Sequence, residues 1–278
     1  MNVFFVCGAP KSGTTWLQRI LDAHPQVCCS GEGHFVSRFT VPLARVVNSY
    51  NSGLARETEY VYEGNPYYMR VSQAEFDALA SSFVLQRMSA RADAQTRWVG
   101  DKTPTYTRHL DQLHRMFPEA KIVHIVRDPR DVAVSRMGHS RRAGFPGVFA
   151  PETDEHRQTL EGAVTTWIEA VTAVDAFAQA HPALVHEVGY GDLHEDPVGT
   201  ITALFRFLGA SVESVLIERI VAATSFKAIS GRDPGHEDTG SFLRKGVVGD
   251  WQAQLPPQSV QFITEACGEL MRRKRFAA

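Results

Sequence analysis

The stretch whose reading decides the fold is "VFFVCGAPKSGTTWLQRIL", residues Val3 to Leu21. It has the outline of an apolar strand, a glycine-bearing turn and a helix. Gly8 and Gly13 stand at the spacing of the two glycines in the phosphate-binding pattern G-x-x-x-x-G-K-[ST]. Thr14 occupies the place of that pattern's lysine, and the nearby lysine, Lys11, precedes the second glycine. A strand–loop–helix junction aims backbone N–H groups and the positive end of a helix dipole at one point, which suits an anion. Ser12, Thr14 and Thr15 add hydroxyl donors. In a nucleoside triphosphatase the lysine after the second glycine reaches the β and γ phosphates, and the next Ser/Thr holds Mg²⁺. That grip is missing here, so the loop suits a nucleotide with a short 5′ anion.

A chain of 278 residues with 44% apolar content can bury a substantial core as one α/β domain. A net charge of −2 gives no global basic field, so no nucleic-acid partner is expected. The basic residues cluster at Arg141–Arg142, Arg244–Lys245 and Arg272–Arg275, and the last run reads as the solvated end of a C-terminal helix. Cys7, Cys28, Cys29 and Cys267 show neither a disulfide framework nor zinc spacing, so no metal site is expected and the cysteines read as reduced thiols of a cytoplasmic protein. The apolar run Val3–Val6 is too short for a signal peptide or a membrane span and reads as the first strand.

Strands are expected at Val3–Cys7, Trp98–Gly100, Lys121–Val126 and Ala183–Val188. Helices are expected at Thr14–Ala23, Gln73–Ala92, Thr105–Met116, Pro129–His139, Glu155–Ala180, Val198–Leu208, Val212–Ala223 and Pro257–Arg275. Asp128-Pro129 and Asp196-Pro197 resemble helix starts with a capping aspartate and proline at the first position. Strand runs apolar on both faces, alternating with helices, predict one domain over 1–278: a parallel sheet flanked by helices, P-loop-like, with its ligand at the sheet's carboxyl edge. Phe35–Tyr68 and Gly138–Asp154 interrupt the alternation and read as long loops walling a site.

The segment "PKSGTTW" resembles the 5′-phosphosulfate loop of the sulfotransferases that use 3′-phosphoadenosine 5′-phosphosulfate (PAPS). "VRDPRDVAVS" is similar to that family's 3′-phosphate motif, with Arg127 at a strand end and Ser135 eight positions on. On the following helix Ser135 sits about two turns along, so both residues can face one phosphate. "FLRKGVVGDW" resembles the R-K-G-x-x-G-D-W stretch of the cytosolic enzymes, which implies that Arg244, Lys245 and Gly246 complete the 3′-phosphate cage. "GYGDLHEDP" and "TSFKAI" imply Tyr190, Thr224 and Phe226 near the adenine, with Trp16 as a stacking partner. These segments run from Ala9 to Trp251 in the family's order. The resemblance implies a transferase of sulfur-containing groups with PAPS as co-substrate, 3′,5′-bisphosphoadenosine (PAP) as product, and no metal.

Sulfuryl transfer gathers less negative charge on the moving group than phosphoryl transfer, so lysine and hydroxyl donors can replace a metal clamp. The resemblance assigns Lys11 to the bridging oxygen and the departing 5′-phosphate. "GDKTPTY" looks like the E-K-T-P-x-Y segment of heparan-sulfate sulfotransferases, which makes Lys102 a second electrostatic catalyst. The cytosolic enzymes take the acceptor's proton with a histidine in K-T-H-x-P; this chain reads Lys102-Thr103-Pro104 and lacks it. "HPQVCCSGEGHF" is similar to the H-P-x-V…E segment of heparan-sulfate and protein-tyrosine sulfotransferases, whose glutamate is the base. Glu32 matches, and His34 is the alternative; His124 and His139 read as structural.

Acceptor motifs are all but missing. Phe35, Phe39, Tyr60, Tyr62, Tyr67 and Phe145 predict an apolar, aromatic lining for a small hydroxylated or phenolic acceptor, with a peptide tyrosine or a lipid-linked sugar as alternatives. Two alternatives stand beside this reading: a protein that binds PAP or PAPS without turnover, and a P-loop kinase with Asp128 as its metal-holding acid. Arg127 at the same strand end opposes the second.

Overall fold

The computed structural model describes residues 1–241 and 243–277. Five strands, β1 (Asn2–Cys7), β2 (Val27–Ser30), β3 (Trp98–Lys102), β4 (Lys121–Val126) and β5 (Val185–Gly189), form one parallel sheet in the order β2-β3-β1-β4-β5. Phe4 to Cys7 of the central strand are fully buried, as a parallel sheet covered on both faces requires.

Alternation along β1 divides the core. Phe4 and Val6 face α1 (Thr14–Asp22), α7 (Tyr190–Glu195), α8 (Pro197–Leu208) and α9 (Ser214–Thr224) through Leu17, Leu193, Leu204 and Ile217. Phe5 and Cys7 face α3 (Gln73–Met88), α4 (Leu110–Met116) and the end of α6 (Asp154–Ala180) through Val84, Leu113 and Phe177. A third cluster joins α5 (Pro129–Arg142), α6 and α12 (Pro257–Arg273) around the buried Trp167, whose indole donates to the Arg127 carbonyl at 2.8 Å. The remaining helices are α2 (Val41–Tyr62), α10 (Phe226–Ser230) and α11 (Trp251–Gln254). Asp128 and Asp196 cap α5 and α8, each with proline in the first turn, as the sequence predicts.

Four expectations are corrected. β2 is an additional strand, four residues long, with two of them cysteine. Phe35–Tyr68 is not a loop: a π-helical turn over Phe35–Thr40 leads into the 22-residue α2. No residue of α2 is fully buried: Leu43, Val47 and Leu54 recur at helical spacing, but that face is only half covered. The second interruption shrinks, because α5 runs on to Arg142 and Val148 pins a 3₁₀ turn (Pro146–Phe149) into the core. The C-terminal basic run is only partly solvated: Lys274 Nζ reaches Asp175 at 2.6 Å and Glu187 at 2.7 Å, and clips the chain's end to α6 and β5.

Candidate active site

Each strand delivers a candidate residue at its carboxyl end. β1 leads into the Lys11–Thr15 loop, β2 into Glu32 and His34, β3 ends on Lys102, β4 precedes Arg127 and β5 precedes Tyr190. The order of the sheet, with chain-distant β3 and β4 on either side of β1, puts the crevice at the switch point where α/β folds bind ligands.

A cleft of about 440 Å³ opens there, the size of a small-ligand site. Its lining includes Lys11, Gly13, Thr14, Thr15, Trp16, Glu32, His34, Arg127, Ser135, Tyr190, Phe226, Arg244, Lys245 and Gly246. Fourteen expected residues, spread over most of the chain, thus meet in one cavity. Ser12, Lys102 and Thr224 do not line it. Ser12 is wholly buried within the loop, and Lys102 lies beneath Glu32 and Thr15. Thr224 turns its hydroxyl back to the Ile220 carbonyl (2.8 Å), while its own carbonyl accepts the Trp16 indole N–H at 2.8 Å. Its contribution is to hold Trp16.

The loop is shaped by backbone that L-residues avoid. Lys11 has φ 78° and His34 φ 48°, each at a cost of roughly 1–2 kcal/mol for a residue with a side chain. Gly13, at φ 102°, starts α1; a Cβ there would fall 2.6 Å from the Tyr190 ring. With no capping side chain and no acid in its first turn, α1 points the amides of Thr14 and Thr15 toward an anion, while the Trp16 amide closes on the Gly13 carbonyl at 2.9 Å. Burial, and next Arg142, lower the Lys11 pKa to about 8; Glu32 opposes the shift and Arg127 adds to it.

Lys102 Nζ donates to Glu32 Oε1 at 2.7 Å and to Thr15 Oγ1 at 3.3 Å. Glu32 Oε2 lies 3.3 Å from His34 Nε2. One carboxylate therefore faces both a buried ammonium and an imidazole.

At the opposite end, the Arg127 guanidinium lies 4.1 Å over the Tyr190 ring and donates to the Val247 carbonyl at 3.0 Å. Its buried Nε has no partner, nor has the Ser12 hydroxyl. Buried donors are rarely left so; Arg127 lines the cleft and Ser12 lies in the loop behind it, which fits a site built for an anion. Arg244 and Lys245 both pair with buried Asp250, the lysine at 2.6 Å. Asp131 on α5 accepts the Gly249 and Trp251 amides at 2.9 and 3.1 Å and so ties this segment to the sheet's edge. Asp128 is committed elsewhere, capping α5 and pairing with Arg130 at 2.7 Å.

Sequence reasoning took His139 as structural and passed over His194; both line the cleft. His139 stands four residues after Ser135 on α5, and His194 four after Tyr190 on α7; one helical turn on the same face was the available signal. His139 is drawn down in pKa by Lys11 first, then by burial and by Arg142. The expected aromatic lining is overturned. Phe35 belongs to the core beside Tyr106, Phe39 stacks on Phe83, and Tyr62 on Tyr67; Tyr60 and Phe145 are exposed. None of the six lines the cleft.

The sequence profile of the sulfotransferase family matches residues 4–214. The chain belongs to the sulfotransferase family. This sulfotransferase is 27% identical to cytosolic sulfotransferase 17 of Arabidopsis thaliana over 93% of its own length and 71% of the relative's. It is 23% identical to protein-tyrosine sulfotransferase 2 of Gallus gallus over 98% and 69%. Its fold is shared with the crystal structure of mouse sulfotransferase SULT7A1 complexed with PAP, at a TM-score of 0.60 and 21% identity, over 98% of this chain and 85% of that one. Family membership leaves the kinase alternative without support. Among the described residues, no helix is long and apolar enough to cross a membrane.

Proposed function

We propose that this sulfotransferase moves the sulfuryl group of PAPS to an acceptor hydroxyl, with Lys11 and Lys102 as electrostatic catalysts and Glu32 as general base. The observation that carries the reading is the 2.7 Å contact of Lys102 with Glu32, made while the same ammonium touches Thr15 of the anion loop. PAPS, when bound, supplies a sulfuryl group on a phosphate leaving group. Arg127, Ser135, Arg244, Lys245 and the Gly246 amide would hold the 3′-phosphate, while Ser12, Gly13, Thr14 and Thr15 would hold the 5′ end. Trp16, Tyr190 and Phe226 would border the base. Supporting this division, the partnerless Arg127 Nε and Ser12 Oγ belong to the two halves of the grip.

Glu32 takes the acceptor's proton as the acceptor oxygen bonds to sulfur and the sulfur–oxygen bond to the 5′-phosphate breaks, its electron pair leaving with PAP. Lys11 and Lys102 meet the charge that develops on the departing oxygen; donors of this kind are worth about 3 kcal/mol each. Lys102 turns from Glu32 to that oxygen, which frees Glu32 Oε1 for the acceptor's proton. Glu32, His34, Thr105 and His139 line the cleft and would border a hydroxylated acceptor. Four buried, unpaired cysteines support a cytoplasmic setting.

The deciding test pairs calorimetry with a turnover screen. PAP should bind without magnesium, and labelled PAPS should release PAP with at least one acceptor among phenols, glycans, steroids and peptides. Tighter binding of ATP–Mg²⁺ than of PAP would overturn the reading.

A further inference from the structure

The loop that carries Glu32 is held by side chains of one short stretch at the end of β3. Asp101 is wholly buried. Its Oδ1 accepts the Gly33 amide at 2.9 Å, and its Oδ2 accepts the hydroxyls of Thr103 at 2.8 Å and Tyr106 at 2.7 Å. A hydroxyl has one proton to give. Both protons go to the carboxylate, so each oxygen offers only lone pairs on its far side. The amides of His34 and Phe35 approach those lone pairs, at 3.3 Å from Thr103 Oγ1 and 3.4 Å from Tyr106 Oη. Three successive amides, 33 to 35, are thus taken by three side chains that share one buried charge.

The backbone is shaped to this contact. A Cβ on Gly33 would lie 2.8 Å from Asp101 Oδ1 and 2.5 Å from the Phe35 ring, so only glycine lets the strands of this junction close. His34 keeps a left-handed backbone at φ 48°, a conformation that persists where its surroundings over-determine it. Successive side chains of β3 point to opposite faces, so Asp101 grips the loop's backbone from one face while Lys102 grips the Glu32 carboxylate from the other.

We propose that Asp101, Thr103 and Tyr106 are positioning residues for sulfuryl transfer, which by holding amides 33 to 35 set the Glu32 carboxylate against the acceptor hydroxyl. This rests on the reading of Glu32 as the base. A base must sit within hydrogen-bond reach of the proton it takes, and a displacement of about 1 Å can cost roughly a hundredfold in rate. The clamp has no atom at the reacting centre; it acts through Glu32.

Thr103→Val and Tyr106→Phe each remove one acceptor while keeping shape, and Phe preserves the packing of ring 106 on Phe5. Both should lower kcat about 10- to 100-fold with PAP affinity unchanged by calorimetry. Amide hydrogen exchange at 33 to 35 should quicken in both. In a Glu32→Gln background, the further loss from either variant should shrink to less than about twofold, because residues acting through one group are not additive. A loss that persists in full in that background, or exchange unchanged at all three amides, would overturn the clamp. A Glu32→Gln enzyme with undiminished turnover would instead overturn the base reading, and the clamp's catalytic purpose with it.

Discussion

Lys102 Nζ lies 2.7 Å from Glu32 Oε1, with the lysine side chain 5% exposed and the glutamate 43%. A buried ammonium is costly unless paired, so the glutamate serves the fold besides its proposed role as base. The two duties can be separated. Glu32→Gln keeps a hydrogen-bond acceptor for Lys102 but has no proton affinity to offer the acceptor hydroxyl. It should keep its PAP affinity and lose turnover roughly a hundredfold or more. Glu32→Ala should lose turnover too and also melt lower, by less than the about 3–5 kcal/mol of a fully buried pair because Glu32 is half in water. Thermal melts beside steady-state assays check both; a Gln variant with normal kcat would move the base elsewhere.

The pH dependence of donor capture should report Lys11. Its pKa stands at about 8, below the ordinary lysine value, through burial and the neighbouring Arg142. A lowered lysine pKa means that the cation is present below about pH 8 and lost above it. kcat/KM for PAPS, which reads the free enzyme, should therefore fall on a basic limb near pH 8. A bound anion favours the charged form, so the limb in kcat should sit at higher pH. A flat kcat/KM profile between pH 7 and 9.5 would contradict this.

How much of this was legible beforehand follows from the kind of signal each part carries. Cofactor-side residues sit in contiguous motifs whose order the sheet preserves, so Lys11, Arg127 and Arg244 could be named from spacing and resemblance and are found in one cleft. Residues read one at a time fared worse. His139 was read as structural although it stands one turn after Ser135 on the expected helix, and α5 does carry both. α2 was missed because its apolar residues, Leu43, Val47 and Leu54 among them, are thinned by polar ones and none of them is fully buried. The aromatic content of Phe35–Tyr68 was visible, but composition does not say which way a ring points; these rings pair with one another or with the core. Asp101 was invisible for a related reason, since its bonds to the Gly33 amide and to the hydroxyls of Thr103 and Tyr106 are contacts that no sequence pattern marks.

Ser12 should show opposite signs with and without ligand. Its buried hydroxyl has no partner, and an unsatisfied buried polar group costs about 1–3 kcal/mol. Ser12→Ala removes that group, so the free protein should melt at the wild-type temperature or above it. PAP should then stabilise the variant less than the wild type, because one donor to the ligand is gone. Melting curves with and without saturating PAP measure both. A variant that is less stable when free would show that the hydroxyl already has a partner.

Gly246 offers the sharpest steric test of the 3′ end. It sits at φ 64°, and a Cβ there would fall 2.1 Å from the Phe226 ring. Phe226 starts α10 and lines the cleft, so neither residue can yield without moving the other's segment. Gly246→Ala adds both the backbone strain of a left-handed residue and this collision, which should displace Arg244 and Lys245 from Asp250 or push Phe226 out of the cleft. Either movement spoils the anion site while leaving the sheet and its three core clusters untouched, since none of them includes residues 244–246. The expected result is a PAP affinity about tenfold to a hundredfold weaker, equivalent to roughly 1.4–2.8 kcal/mol, with circular dichroism like that of the wild type. Wild-type affinity in this variant would mean that segment 244–250 stands apart from the ligand, and that Arg127 and Ser135 hold the phosphate without it.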